Sequence, residues 1–128
     1  MSEAATQEIR VPGVEALEHG DARTFVWTEG EDEAQGFVMM LRDAQGQGSL
    51  VAYRNRCAHV PLDLDMGTGR FWAQKVDRII CRTHGACYVP ATGLCDRGPC
   101  VGARLEAFAV RQDGSDAVVT IPAATAQP

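Results

Sequence analysis

The chain has 128 residues, one domain's worth, and with 45% hydrophobic and 23% charged residues it is composed like a globular protein rather than a disordered one. Its net charge of −5 leaves no Lys/Arg cluster to neutralise phosphates, which argues against a nucleic acid and points to a basic partner surface. The longest apolar runs, such as Phe37–Leu41, are far too short to span a bilayer, and the first residues show no basic-then-apolar leader, so no membrane is expected and the expected location is cytoplasmic. The ends, about residues 1–8 and 123–128, are small and polar and are expected to be flexible. Gly13–Gly20 could make a turn or two of helix ended by Gly20, with His19 solvated beside it. Strands are predicted at Arg23–Thr28, Gly36–Asp43 and Ser49–Asn55, with glycine-rich connections, then at Val76–Cys81 and Ala86–Val89. Leu105–Gln112 and Asp116–Ile121 read as a final hairpin turning at Asp113 and Gly114. No stretch sustains a 3.6-residue period, no repeat is visible and no linker divides the chain. The pattern is a single all-β domain, a small sandwich or barrel.

Two short motifs carry the chemistry. Cys57 and His59 form C-x-H; after 21 intervening residues Cys81 and His84 form C-x-x-H. Each pair lies at the end of a predicted strand and falls in a loop, where curved backbone can aim two side chains at one point. The odd count of five cysteines does not fit a full disulfide framework, and in a reducing compartment cysteines grouped with histidines read as metal ligands. Zinc accepts two thiolates and two imidazoles, but structural zinc sites usually pair like with like at C-x₂₋₄-C and H-x₃₋₅-H. Here each half supplies one of each. That suits a [2Fe–2S] cluster with both thiolates on one iron and both imidazoles on the other.

The stretch from Cys81 to Leu105 resembles the second cluster loop of Rieske proteins together with the segment C-terminal to that loop. Gly85 after the histidine, the aromatic Tyr88, the turn Ala91–Gly93 and the later Gly98-Pro99-Cys100 fall where that family places them. The likeness extends over the flanking strands, roughly Val11 to Pro122. It implies a Rieske fold of stacked antiparallel sheets: a β-sandwich base with a small inserted cluster-binding subdomain at about 55–100. It implies that Cys57, His59, Cys81 and His84 hold the cluster, with the histidines facing solvent. Val60, Gly85, Ala86, Tyr88, Gly98 and Pro99 would form its surroundings, with Gly98 and Pro99 in the family's proline loop.

The departures narrow the resemblance. Respiratory Rieske subunits carry an extra cysteine in each cluster loop, joined as a disulfide; neither Pro61 and its neighbours nor Arg82 and Thr83 supplies one. High-potential members have a serine where Ala86 stands, so a low to intermediate potential is expected, with Tyr88 still able to donate to a cysteine sulfur. The 21-residue spacer is longer than usual, with a turn at Gly67 and Gly69. Trp72 beyond it is either packed on the core or part of a partner-docking lip. Cys87 reads as a buried inert thiol. Cys95 and Cys100 are either a disulfide stiffening the proline loop or two thiols. Arg82, Thr83 and Arg97 either tune the cluster's charge or are merely solvated, and Asp63 and Asp65 read as surface.

The implied function is one-electron transfer, as a soluble ferredoxin shuttling between a flavin reductase and a terminal oxygenase. The alternatives are a small non-catalytic subunit of a larger oxidoreductase, similar to nitrite reductase small subunits, and a zinc-binding interaction module. Catalysis within this chain is not expected. A mononuclear iron site needs two further histidines and a carboxylate, and only His19 remains.

Overall fold

The computed structural model describes residues 6–58 and 62–122, so the candidate ligand His59, its neighbour Val60 and the chain ends at 1–5 and 123–128 lie outside the described residues. Ten strands form among those described: β1 (Gln7–Val11), β2 (Ala22–Glu29), β3 (Asp32–Arg42), β4 (Gly48–Arg54), β5 (Trp72–Ala73), β6 (Arg78–Ile80), β7 (Cys87–Tyr88), β8 (Cys95–Arg97), β9 (Ala107–Asp113) and β10 (Asp116–Ile121). The helical signal at Gly13–Gly20 yields one 3-10 turn, Val14–Ala16. Gln7 and Glu8, expected to be flexible, are instead the start of β1. They pair with Ile121 and Thr120 at the far end of the chain.

Every pairing is antiparallel. Six strands form the base in the order β1-β10-β9-β4-β3-β2, and four form the subdomain sheet β5-β6-β7-β8. β4 and β9 pair through only two residue pairs, Ala52 with Phe108 and Tyr53 with Ala107. The base sheet folds over at this short seam into two three-stranded layers. Its edges meet, and Gln7 Nε2 on β1 donates to the Thr28 carbonyl at the end of β2 at 3.2 Å.

The unalternating run Phe37–Leu41 follows from where β3 lies. A strand covered on one face alternates apolar with polar, whereas a strand covered on both faces is apolar throughout. Val38 and Met40 point into the base core with Phe25, Trp27 and Val119. Phe37 and Met39 point the other way, into a second core with Phe71, Ile79, Cys81 and Tyr88. β4 divides likewise, with Ala52 in the first core and Tyr53 in the second. Phe37 and Phe71 stack at 4.1 Å, so the inserted hairpin is seated on the outer face of β3. Each such side chain stabilises the fold by about 1.5–3 kcal/mol relative to exposure.

Trp72 settles against the base as well. Its ring covers Gly20, whose positive φ of 86° holds the chain in a left-handed turn beneath it. His19 meets the same ring edge-on at 5.0 Å. This histidine is neither a cluster ligand nor simply solvated. Its Nδ1 accepts the Arg42 N–H at 2.9 Å, which leaves the proton on Nε2, 3.0 Å from Asp77 Oδ1. It therefore clasps the end of β3 to the β5–β6 turn. His19→Ala removes two hydrogen bonds and a ring contact, an expected loss of about 1–2 kcal/mol. Urea denaturation would detect it as a lower midpoint; an unmoved midpoint would show the clasp to be idle.

Candidate metal centre

Two loops at the end of the subdomain hold the candidate ligands. The first leaves β4 at Asn55 and closes on itself within ten residues. Cys57 N–H donates to the Leu62 carbonyl at 2.8 Å, and Leu64 N–H donates to Asn55 Oδ1 at 2.8 Å. Asn55 Nδ2 donates to Asp65 Oδ1 at 3.0 Å, so a buried amide and a buried carboxylate pin the two ends of the loop together. Asp65 also receives the N–H groups of Gly67 at 3.2 Å and Gly69 at 2.9 Å. The expectation that Asp65 is a surface residue is thus corrected: it is 3% exposed, whereas Asp63 is exposed as expected. Burial alone would push the Asp65 carboxyl up, but the Asn55 amide and the two glycine N–H groups outweigh it and hold the group below its ordinary value.

The second loop is a tight turn between β6 and β7. Gly85 N–H donates to the Cys81 carbonyl at 2.9 Å and Cys81 N–H to the Ala86 carbonyl at 2.8 Å. Gly85 has φ 76°, a conformation that favours glycine, which accounts for the residue after His84. Arg82 N–H donates to the Leu64 carbonyl at 2.9 Å and ties the two loops together. The Arg82 guanidinium reaches back to the Arg70 and Trp72 carbonyls, so this arginine braces the inserted hairpin.

The two loops bring Cys57 and Cys81 together, both buried, while His84 is exposed. Burial pushes the Cys81 thiol up; the N–H groups of Thr83 and His84 bond its sulfur and oppose that, and the neighbouring Cys57 sulfur adds to it. A bound cation inverts this situation, because a coordinating thiol is deprotonated outright and backbone N–H groups then stabilise the thiolate. Paired, dry thiols met by backbone donors, with an imidazole at the rim, fit an iron–sulfur cluster.

The surroundings are built from β7, β8 and the segment after it. Tyr88 is fully buried with its hydroxyl 3.3 Å from Cys57 Sγ and 3.4 Å from Cys100 Sγ, and it accepts the Ala58 N–H at 3.0 Å. Burial pushes its phenol far above the ordinary value, so it stays protonated and serves as a donor. Gly98 lies against Ala86 and presses the proline loop onto the second cluster loop, with Pro99 exposed beside it. Cys87 is buried, as expected, and burial pushes its thiol up. No disulfide joins any of the five cysteines, all of which are described; Cys95 and Cys100 are thiols with their sulfurs 3.2 Å apart.

Sequence reasoning missed Asn55 and Asp65. The available signal was Asp65-Met66-Gly67-Thr68-Gly69, because an aspartate followed by glycines two and four residues on is an Asx-type turn.

Comparison with known proteins agrees with this geometry. The family model described as the Rieske [2Fe-2S] domain matches residues 6–122. No curated protein matches the chain. Among solved structures, the chain is similar to a candidate NADH-dependent nitrite reductase small subunit from Mycobacterium tuberculosis, with a TM-score of 0.60 at 14% identity over 94% of this chain and 99% of that one. At that identity the likeness is one of fold.

Proposed function

The chain belongs to the Rieske [2Fe–2S] family, and from that premise we propose that it is a ferredoxin-type carrier taking single electrons from a flavin reductase to a terminal oxygenase. A Rieske domain binds a [2Fe–2S] cluster, and this cluster, when bound, supplies the one-electron capacity. In this reading Cys57 and Cys81 hold one iron, and His59 and His84 the other.

The rest is done by the chain. Buried Cys57 and Cys81 keep water from the inner end, and the protonated Tyr88 hydroxyl faces the Cys57 sulfur. Exposed His84 offers a short route to a partner's surface. The observation that carries the proposal is this polarity, a sealed thiol end at Cys81 and an open imidazole end at His84 on one tight turn. Ala86 supplies no side-chain hydroxyl, which supports a potential in the lower part of the roughly −150 to +300 mV Rieske span.

The fold likeness to a small subunit of nitrite reductase favours a second reading, a non-catalytic electron-transfer subunit of a larger oxidoreductase. In both readings a zinc-only site is excluded by the same measurement. Purified protein should contain iron and acid-labile sulfide in equal amounts, about two of each per chain, with an EPR signal on reduction. Zinc without sulfide would sink the electron-transfer reading. Turnover with catalytic amounts of the chain between a reductase and an oxygenase supports the carrier; stable co-purification with a reductase subunit supports the second reading.

A further inference from the structure

Cys95 and Cys100 lie outside the ligand set, yet one hydroxyl links them to it. Cys95 is buried at the start of β8, and Cys100 is partly exposed at the end of the proline loop. Cys100 Sγ donates to Cys95 Sγ at 3.2 Å, and Cys95 Sγ donates to the Arg97 carbonyl at 3.2 Å. Three backbone hydrogen bonds close the segment around them: Cys95 N–H to the Ala103 carbonyl, Gly102 N–H to that of Cys95, and Ala103 N–H to that of Cys100. The loop thus holds the two sulfurs face to face. Bonding them at about 2.04 Å needs the two sulfurs to approach by a further ~1.2 Å.

The phenol of Tyr88 stands between Cys100 and the candidate ligand Cys57, at 3.4 and 3.3 Å. It has one proton and can donate to one sulfur at a time. We propose that Cys95 and Cys100 are a reversible thiol–disulfide site that sets the cluster's potential through the Tyr88 hydroxyl. The inference rests on the reading that Cys57 holds the cluster.

The oxidant is a low-molecular-weight disulfide, RSSR. The more exposed Cys100, as thiolate, attacks one sulfur of RSSR, forming a Cys100–SR mixed disulfide and releasing RS⁻. Cys95, as thiolate, then attacks Cys100 Sγ, forming the Cys95–Cys100 bond and releasing the second RS⁻. Two electrons pass from the protein thiols to RSSR, and the two thiol protons end on two RSH. Excess RSH reverses both steps. Closing the bond draws Cys100 Sγ toward Cys95 and away from Tyr88, so the phenol proton is left to Cys57. A hydrogen bond to a ligand sulfur favours the more negative, reduced cluster, and the potential rises.

The test uses the cluster-loaded protein equilibrated without oxygen against oxidised or reduced glutathione. The peptide spanning Cys95 and Cys100 is weighed, and the midpoint potential is read by voltammetry. The wild type should lose two hydrogens in that peptide. Its reduction equilibrium should move about threefold toward the reduced form, about 28 mV for one electron at 59 mV per tenfold. Tyr88→Phe should form the same disulfide with no shift, and Cys100→Ser should show neither. A persistent glutathione adduct without the disulfide, a disulfide that leaves the wild-type potential in place, or an equal shift in Tyr88→Phe overturns the inference. A chain holding no iron or sulfide sinks the carrier reading along with it; an intact cluster indifferent to the disulfide sinks this inference alone.

Discussion

Asp65→Ala is expected to destabilise the protein by about 3 kcal/mol and to release the first cluster loop. The N–H groups of Gly67 and Gly69 lose their acceptor at once, and Asn55 Nδ2 loses one of two, keeping Gln35 Oε1. Hydrogen bonds to a charged group contribute about 1.5–3 kcal/mol each, and buried donors left unmade carry a desolvation cost of their own. The sum is reduced because water enters the vacated turn to meet the glycine N–H groups. Asp65→Asn keeps the shape but turns an NH₂ toward donors, so an intermediate loss is expected. Urea titration of the three proteins orders them wild type, Asn, Ala. The wild type should also be acid-sensitive in a defined window. The Asp65 carboxyl is held below its ordinary value in the folded state, so its contribution is complete above the unfolded value of about 3.9 and is lost as pH falls through the lower folded one. Asp65→Asn removes that part of the pH dependence. Equal acid midpoints in the two proteins would show that Asp65 does not hold the loop.

The same residue shows what a sequence displays and what it hides. The paired C-x-H and C-x-x-H stand out in the sequence because spacing and residue type are local. β2, β3, β4, β9 and β10 were legible because each is at least six residues long and apolar or alternating. β5 has two residues and β8 three, and no longer strand-like run surrounds them; β6 and β7, equally short, sit inside the runs Val76–Cys81 and Ala86–Val89. Gln7 and Glu8, the start of β1, read as a loose end because their partner strand lies more than a hundred residues away. Asp65 and His19 are polar residues that sequence alone places on the surface. Their roles come from Asn55 and from Asp77, ten and fifty-eight positions distant. Buried polar groups are satisfied by tertiary partners, and a residue's own neighbours do not report them.

Gly98→Ala should separate the proline loop from the second cluster loop. A Cβ at position 98 would stand 2.8 Å from Ala86 Cα, 3.2 Å from Ala86 N and 3.3 Å from the Gly85 carbonyl oxygen. All three are backbone atoms, so no side chain can swing aside to make room. Gly98 also has φ 97°, where an alanine carries a further cost of about 1–2 kcal/mol. Displacing packed backbone costs about 1–3 kcal/mol more. The relaxation has one outlet. Ala86 is fully buried and its carbonyl is held by Cys81 N–H, so the exposed side, Gly98 and Pro99, must lift. Lifting that segment pulls Cys100 from Tyr88 and admits water to Cys57 and Cys81. Gly98→Ala should therefore lose about 3 kcal/mol and shed iron and sulfide faster than wild type on incubation with a chelator. Gly102→Ala is the control. Its φ of 96° imposes the same left-handed strain, but nothing lies within 4 Å of the added carbon. It should lose only the backbone part and keep its iron at the wild-type rate. If both variants release iron alike, the contact between Gly98 and Ala86 is not what seals the cluster.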